Sequence, residues 1–106
     1  MSVDQKYIVD LISTTPDEKV MLTISDHLPW DEENEHLLVL QDKLNSYLTF
    51  IESGEIFESY PIAKNKSFII EVTMKYAPNE VAVVFLNRSK ELIEKTGVQL
   101  RWRQLI

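Results

Sequence analysis

One long amphipathic segment, residues 31–53, restricts the possible folds more than any other feature of this sequence. At about 100° per residue, its apolar side chains fall on a single helical stripe. Asp31 is a candidate N-cap, and Gly54 is placed to end the helix in a left-handed conformation. We therefore predict one continuous helix that packs one face against a sheet. The stripe consists of Leu37, Leu40, Leu44, Tyr47, Leu48 and Ile51.

A second helix is predicted from a cap at Asn79 to Thr96, just before Gly97. Its apolar stripe centres on Val81, Phe85 and Leu92, and it is flanked by Ala82, Leu86 and Ile93. Alternation of apolar and polar residues, the period of a half-buried strand, predicts strands at 19–26, 67–76 and 98–105. Shorter apolar runs predict two more strands, at 7–12 and 55–60.

The predicted order is ββαββαβ in one domain, residues 1–106. It indicates a two-layer α+β sandwich with about five mostly antiparallel strands and two helices on one face of the sheet. Pro16 and Asp17 favour a turn, so the first two strands are expected to form a hairpin. The last six elements also match a ferredoxin-like variant. In that arrangement the first of its strands already has a neighbour on each side. The N-terminal hairpin strand could not pair with it, so the strand order stays open.

Composition excludes several classes of function. The chain has no cysteine, so disulfides, thiolate metal sites and cysteine nucleophiles are ruled out. Two glycines, both better used to end helices, cannot form a glycine-rich phosphate loop. The N-terminal residues lack a signal-peptide pattern, and no apolar run approaches the ~18 residues of a membrane span. We expect a cytoplasmic protein that does not enter the membrane, with no predicted cofactor and no catalytic residue that the sequence identifies.

The net charge of −6 is distributed unevenly. Residues 1–60 carry thirteen acids and three bases, whereas residues 61–106 carry four acids and eight bases. Such a split can create a dipolar surface that selects partners, or the two halves can pair within one domain. Arg101 and Arg103 flank Trp102, a combination that can bind nucleic acid. The overall acidic charge disfavours that interpretation.

Both histidines lie at the corner between a strand and the long helix. Glu32 and His36 are four residues apart and share a helix face, and Asp26 and His27 end the strand. These four side chains are a possible metal site, and hence a possible metal-assisted enzyme. The sequence has no HExxH spacing, however, and carboxylates at a helix start are also explained by the helix macrodipole.

A protein-interaction surface is the favoured functional hypothesis, with a protein partner or a homo-oligomer as the expected assembly. One row beside the main helix stripe carries apolar and charged side chains that could form a binding patch. The row could instead widen the core-facing side of the helix. A ligand pocket lined by Trp30, Tyr47 and Phe85 cannot be separated from an ordinary core by sequence. The row consists of Glu32, His36, Val39, Lys43 and Phe50.

Four stretches carry a resemblance to a known family. They are residues 24–28 (Ile-Ser-Asp-His-Leu) with Trp30, residues 40–55 ending in Phe-Ile-Glu-Ser-Gly-Glu, and the pairs Tyr60-Pro61 and Phe85-Leu86. The sequence resembles a family of small bacterial proteins classed as a domain of unknown function, over nearly its whole length. The resemblance implies a bacterial origin and carries over no activity and no site residues.

Overall fold

The computed structural model describes residues 11–30 and 35–104. Within them it has an α+β fold, as predicted, with four strands, three α-helices and one 3-10 helix. Residues 7–10 of the first predicted strand, the predicted cap Asp31, and Leu105 lie outside the described residues. The elements are β1 (Leu11–Thr14), β2 (Val20–Asp26), α1 (Glu35–Glu52), α2 (Glu55–Ser59), the 3-10 helix (Pro61–Ala63), β3 (Phe68–Met74), α3 (Glu80–Glu94) and β4 (Val98–Gln104).

The four described strands form one mixed sheet in the order β1-β2-β3-β4. β1 and β2 form the predicted antiparallel hairpin, but β2 pairs with β3 and β3 with β4 in parallel. The prediction of about five mostly antiparallel strands was therefore wrong, and the sequential strand order does not match the ferredoxin-like variant. The reason is that α1 and α3 each carry the chain back across the sheet, so the next strand starts at the same edge.

The strand predicted at residues 55–60 is instead the short helix α2 followed by the 3-10 helix. Gly54 has a φ of 84°, a left-handed conformation that ends α1 and redirects the chain. Ile56 is fully buried and Tyr60 is half-buried. Their spacing of four residues places both on one side of a helical turn, so a short apolar run was mistaken for a strand.

The core lies between one face of the sheet and the helices. From β2, Val20, Leu22 and Ile24 point to this face, and their paired residues in β3 and β4 point the same way. The same buried cluster contains Leu40 and Tyr47 of α1. It also contains Leu86 and Ile93 of α3. Both long helices therefore cover one side of the sheet, which agrees with the predicted two layers.

Local chemistry explains the ends of these elements. The Asn79 side chain accepts a hydrogen bond of 2.8 Å from the backbone N–H of Ala82, so it caps α3 as predicted. Gly97, with a φ of 92°, separates α3 from β4. In the hairpin turn, the Thr15 hydroxyl donates to the Asp17 carboxylate and lowers the pKa of Asp17.

No helix in the described part of the chain combines the length and apolarity needed to cross a membrane.

Candidate functional site

The corner between β2 and α1, predicted as a possible metal site, brings Asp26 and His36 into contact. Asp26 is the last residue of β2, and His36 lies in the first turn of the described α1. The His36 Nε2 atom is 2.5 Å from Asp26 Oδ2, and the two residues are 3% and 2% exposed. The end of the strand and the start of the helix are thus joined by a buried polar contact.

Each side-chain nitrogen of His36 and each carboxylate oxygen of Asp26 has a hydrogen-bond partner. The His36 Nδ1 atom is 3.1 Å from the Pro29 carbonyl oxygen. Because a carbonyl can only accept, Nδ1 carries a hydrogen. The Asp26 Oδ1 atom accepts from the backbone N–H of Leu28 at 3.2 Å. With both ring nitrogens engaged, His36 holds the loop between β2 and α1 and has no ring nitrogen directed to solvent.

Trp30 closes the same corner. Its ring stacks on the His36 imidazole with centroids 3.7 Å apart and planes inclined by 17°. Its Nε1 donates to the Tyr76 carbonyl at 3.3 Å, which ties the loop to the segment after β3. The backbone N–H of Lys75 donates to the Asp26 carbonyl at 2.9 Å. This set of contacts gives the corner a structural role.

The predicted metal ligands are brought together only in part. Asp26 and His36 are in contact, whereas His27 is exposed. Glu32 lies outside the described residues. In the part of the chain that the structure describes, no three histidine or acidic residues are grouped to hold a metal ion. The four-residue metal set stays a prediction, and the engagement of both His36 nitrogens does not favour it.

The row predicted as an interaction patch faces inward where it is described. Lys43 is fully buried, with its Nζ atom 5.3 Å from the ring centroid of Tyr47. His36 is buried as well, and Val39 and Phe50 are half-buried against the core. Binding through this row stays a prediction that the burial does not support. The buried face of α1 is centred closer to His36 and Lys43 than the apolar pattern indicated.

The predicted aromatic pocket is not formed as one cavity. Tyr47 is fully buried and its hydroxyl donates to the Thr23 carbonyl at 3.1 Å. Trp30 stacks on His36, as described above. Phe85 faces a different place, a groove between α1 and α3.

This groove between α1 and α3 has a volume of about 460 Å³. Three of its side chains are widely exposed: Val81 at 50%, Val84 at 52% and Leu92 at 64%. The sequence placed Val81 and Leu92 in the centre of the apolar stripe of α3, yet the buried residues of that helix are the flanking Ala82, Leu86 and Ile93. The lining comprises Leu37, Gln41, Leu44, Asn45 and Leu48 of α1, and Val81, Val84, Phe85, Arg88, Ser89, Leu92 and Ile93 of α3.

A sequence signal for this groove was present. The apolar residues of α3 cover an arc too wide for one sheet-facing side, because Val84 lies about 160° from the buried Leu86 at 100° per residue. A helix that is apolar beyond its core face has a second surface to cover. The polar residues Gln41, Asn45 and Ser89 between the apolar ones make the groove amphipathic.

On the opposite face of the sheet, Glu71 lies between two arginines. Its carboxylate accepts from Arg101 Nε at 2.6 Å and from Arg103 Nε at 3.0 Å. The Glu71 side chain is 8% exposed, whereas those of the two arginines are 46% and 61% exposed. One buried acid thus offsets part of the basic charge that suggested a nucleic-acid surface.

Comparison with known proteins extends this description to a family. A model of a family of unknown function (DUF6572) matches residues 1–105. The chain belongs to this family. Neither a curated protein nor a solved structure matched the chain.

Proposed function

We propose that this protein is a non-catalytic interaction module that binds another polypeptide in the groove between α1 and α3. The observation that carries the proposal is the exposure of Val81, Val84 and Leu92 along one continuous groove. Single exposed apolar residues are common on protein surfaces, whereas contiguous ones mark interaction sites.

Covering these three side chains would supply part of the free energy of binding. Fully burying a valine or leucine side chain is worth about 1.5–3 kcal/mol, so covering the exposed half of one is worth about 1 kcal/mol. Three such side chains, each 50–64% exposed, together contribute about 3 kcal/mol, or a factor of roughly 100 in affinity.

The shape of the groove favours a helical partner. α1 and α3 both connect parallel strands, so they run in the same direction with the groove between them. An amphipathic helix recognises such a groove through apolar side chains spaced three and four residues apart. Gln41, Asn45 and Ser89 supply polar groups to the partner along the same groove.

The absence of catalysis is part of the proposal. It is supported by the engagement of both His36 nitrogens and of both Asp26 carboxylate oxygens in contacts that hold the corner. A cytoplasmic location is also part of it, because small secreted domains commonly depend on disulfides and this sequence has no cysteine.

Site-specific photo-crosslinking in living cells tests the proposal. The photoreactive residue p-benzoylphenylalanine would replace Val84 in the groove or, as a matched control, Val83, which is 39% exposed on the same helix but does not line the groove. We expect a discrete adduct from position 84, identified by mass spectrometry, that Leu92→Glu removes and that position 83 does not form. Equal labelling from both positions, or none from position 84, would refute the groove as a binding site.

A further inference from the structure

We propose that two arginines on the open face of the sheet bind a phosphate group. The open face is the side of the described strands that points away from α1 and α3. Arg101 and Arg103 of β4 lie on it, with the buried carboxylate of Glu71 between them. This site is separate from the α1–α3 groove, so the inference goes beyond the proposed function and does not depend on it.

The open face of the described strands carries a local excess of positive charge. Among the strand residues that the pairing register places on this side, Glu71 is the only acid, and Arg101 and Arg103 are the only bases. Two positive charges therefore accompany one negative charge, whereas the whole chain has a net charge of −6. A small anion is attracted by the local excess, and a polyanion such as nucleic acid is repelled by the rest of the protein.

Glu71 holds both guanidinium groups in place. Its side chain is 8% exposed, and its two oxygens accept from Arg101 Nε at 2.6 Å and from Arg103 Nε at 3.0 Å. Because both arginines bind the same carboxylate, their guanidinium groups lie close together. The buried carboxylate already fixes these long side chains, so less conformational entropy is lost when a ligand binds.

The outer amino groups of both arginines are available to a ligand. Each guanidinium has five N–H donors, and each arginine uses its Nε–H for Glu71. In the contacts between described residues, the Nη atoms form one further hydrogen bond, from Arg101 Nη2 to the Met21 sulfur at 3.1 Å. A thioether is a weak acceptor, so a ligand oxygen replaces it favourably. The arginine side chains are 46% and 61% exposed, so a ligand can reach them from solvent.

The charge and number of these donors favour a phosphate group over a carboxylate. Guanidinium groups bind both kinds of anion through paired N–H donors. A phosphate group carries a charge of about −1.5 to −2 at pH 7 and has three strong acceptor oxygens, so it can bind both arginines at once. A carboxylate has a single charge and two oxygens, and Glu71 already supplies one to this cluster.

NMR titration of the purified chain with inorganic phosphate tests the site. At constant ionic strength and about pH 7, we expect the Nε–Hε resonances of Arg101 and Arg103 to shift saturably, with a Kd of about 1 mM. Arg103→Gln should weaken binding about tenfold, as measured on the Arg101 resonance, because one charged donor group is lost. The matched control Arg88→Gln makes the same change of net charge in the α1–α3 groove and should leave the affinity unchanged. Circular dichroism confirms that each variant is folded.

Three results would overturn the inference. They are no saturable shift up to about 50 mM phosphate, equal losses of affinity in Arg103→Gln and Arg88→Gln, and acetate binding as tight as phosphate binding. The first shows that the site is absent, the second that only net charge is sensed, and the third that phosphate is the wrong class of ligand.

A second titration, with methyl phosphate, identifies the source of the phosphate group. Methyl phosphate binding at least as tightly as inorganic phosphate supports a phosphate carried as an ester on a larger molecule. Methyl phosphate binding tenfold or more weakly supports free phosphate as the ligand, because the ester oxygen then takes a place that a charged oxygen needs.

Discussion

Replacing His36 tests the structural role of the corner between β2 and α1. The change His36→Ala leaves the Asp26 carboxyl group, 2% exposed, without its contact to Nε2, and it also removes the ring on which Trp30 stacks. Removing one member of a buried charged pair typically costs about 3–5 kcal/mol. Since domains of this size are stable by about 5–15 kcal/mol, the variant should lose roughly a fifth or more of its stability.

Urea denaturation followed by circular dichroism measures this loss. With an m value of about 1.5 kcal/mol/M, the midpoint should fall by about 2–3 M. The exposed His27 provides the matched control, because His27→Ala should shift the free energy of unfolding by less than about 0.5 kcal/mol. The Trp30 fluorescence of His36→Ala should also change, since its stacking partner is lost.

The change Asp26→Asn replaces the carboxylate with an amide of similar size that can still form hydrogen bonds. An asparagine amide can donate to His36 Nε2 while its oxygen still accepts from the Leu28 N–H, so both contacts are kept. We expect a cost of no more than about 1.5 kcal/mol, the ordinary range of one hydrogen bond. If His36→Ala costs less than 1 kcal/mol, or if Asp26→Asn costs as much as His36→Ala, the corner is not held by this pair.

Three further variants test separate features by urea denaturation. Asn79→Ala should lower the free energy of unfolding by about 1 kcal/mol because α3 loses its cap, whereas Asn79→Asp should keep it; equal losses would contradict the capping role. Gly97→Ala should cost about 1–2 kcal/mol, since a Cβ meets open space there but the φ of 92° is strained for alanine; a neutral result would contradict that conformation. Glu71→Ala should cost less than His36→Ala, because Arg101 and Arg103 are exposed enough to be solvated without it; a larger loss would show that Glu71 holds the sheet.

The ends of the helices were predictable from sequence because single residues determine them. Asn79 caps α3 with its own side chain, and Gly54 and Gly97 adopt left-handed backbone conformations that other residues avoid. The hairpin before β2 followed from the residues of its turn. Each of these signals acts over three or four residues, so no tertiary contact can override it easily.

Strand direction and the orientation of the helices could not be predicted from local sequence patterns. The short apolar run containing Ile56 fits a strand and a helical turn equally well. Because it was interpreted as a strand, the predicted sheet was mostly antiparallel, whereas β2, β3 and β4 are parallel. The burial of Lys43 and His36 could not be foreseen, because polar residues normally indicate the solvent side of a helix. Tertiary contacts with Tyr47 and Asp26 decide both cases.

The parallel pairing of β2 with β3 has a consequence for how this chain reaches its native state. About 40 residues separate Asp26 from Phe68, and none of the ladder between these strands can form until that length has been spanned. The entropy of closing so long a loop precedes any gain from the central strands, and such topologies acquire structure slowly. We therefore expect α1 to form early and to shorten this distance, so a variant that weakens α1 should slow refolding more than it speeds unfolding.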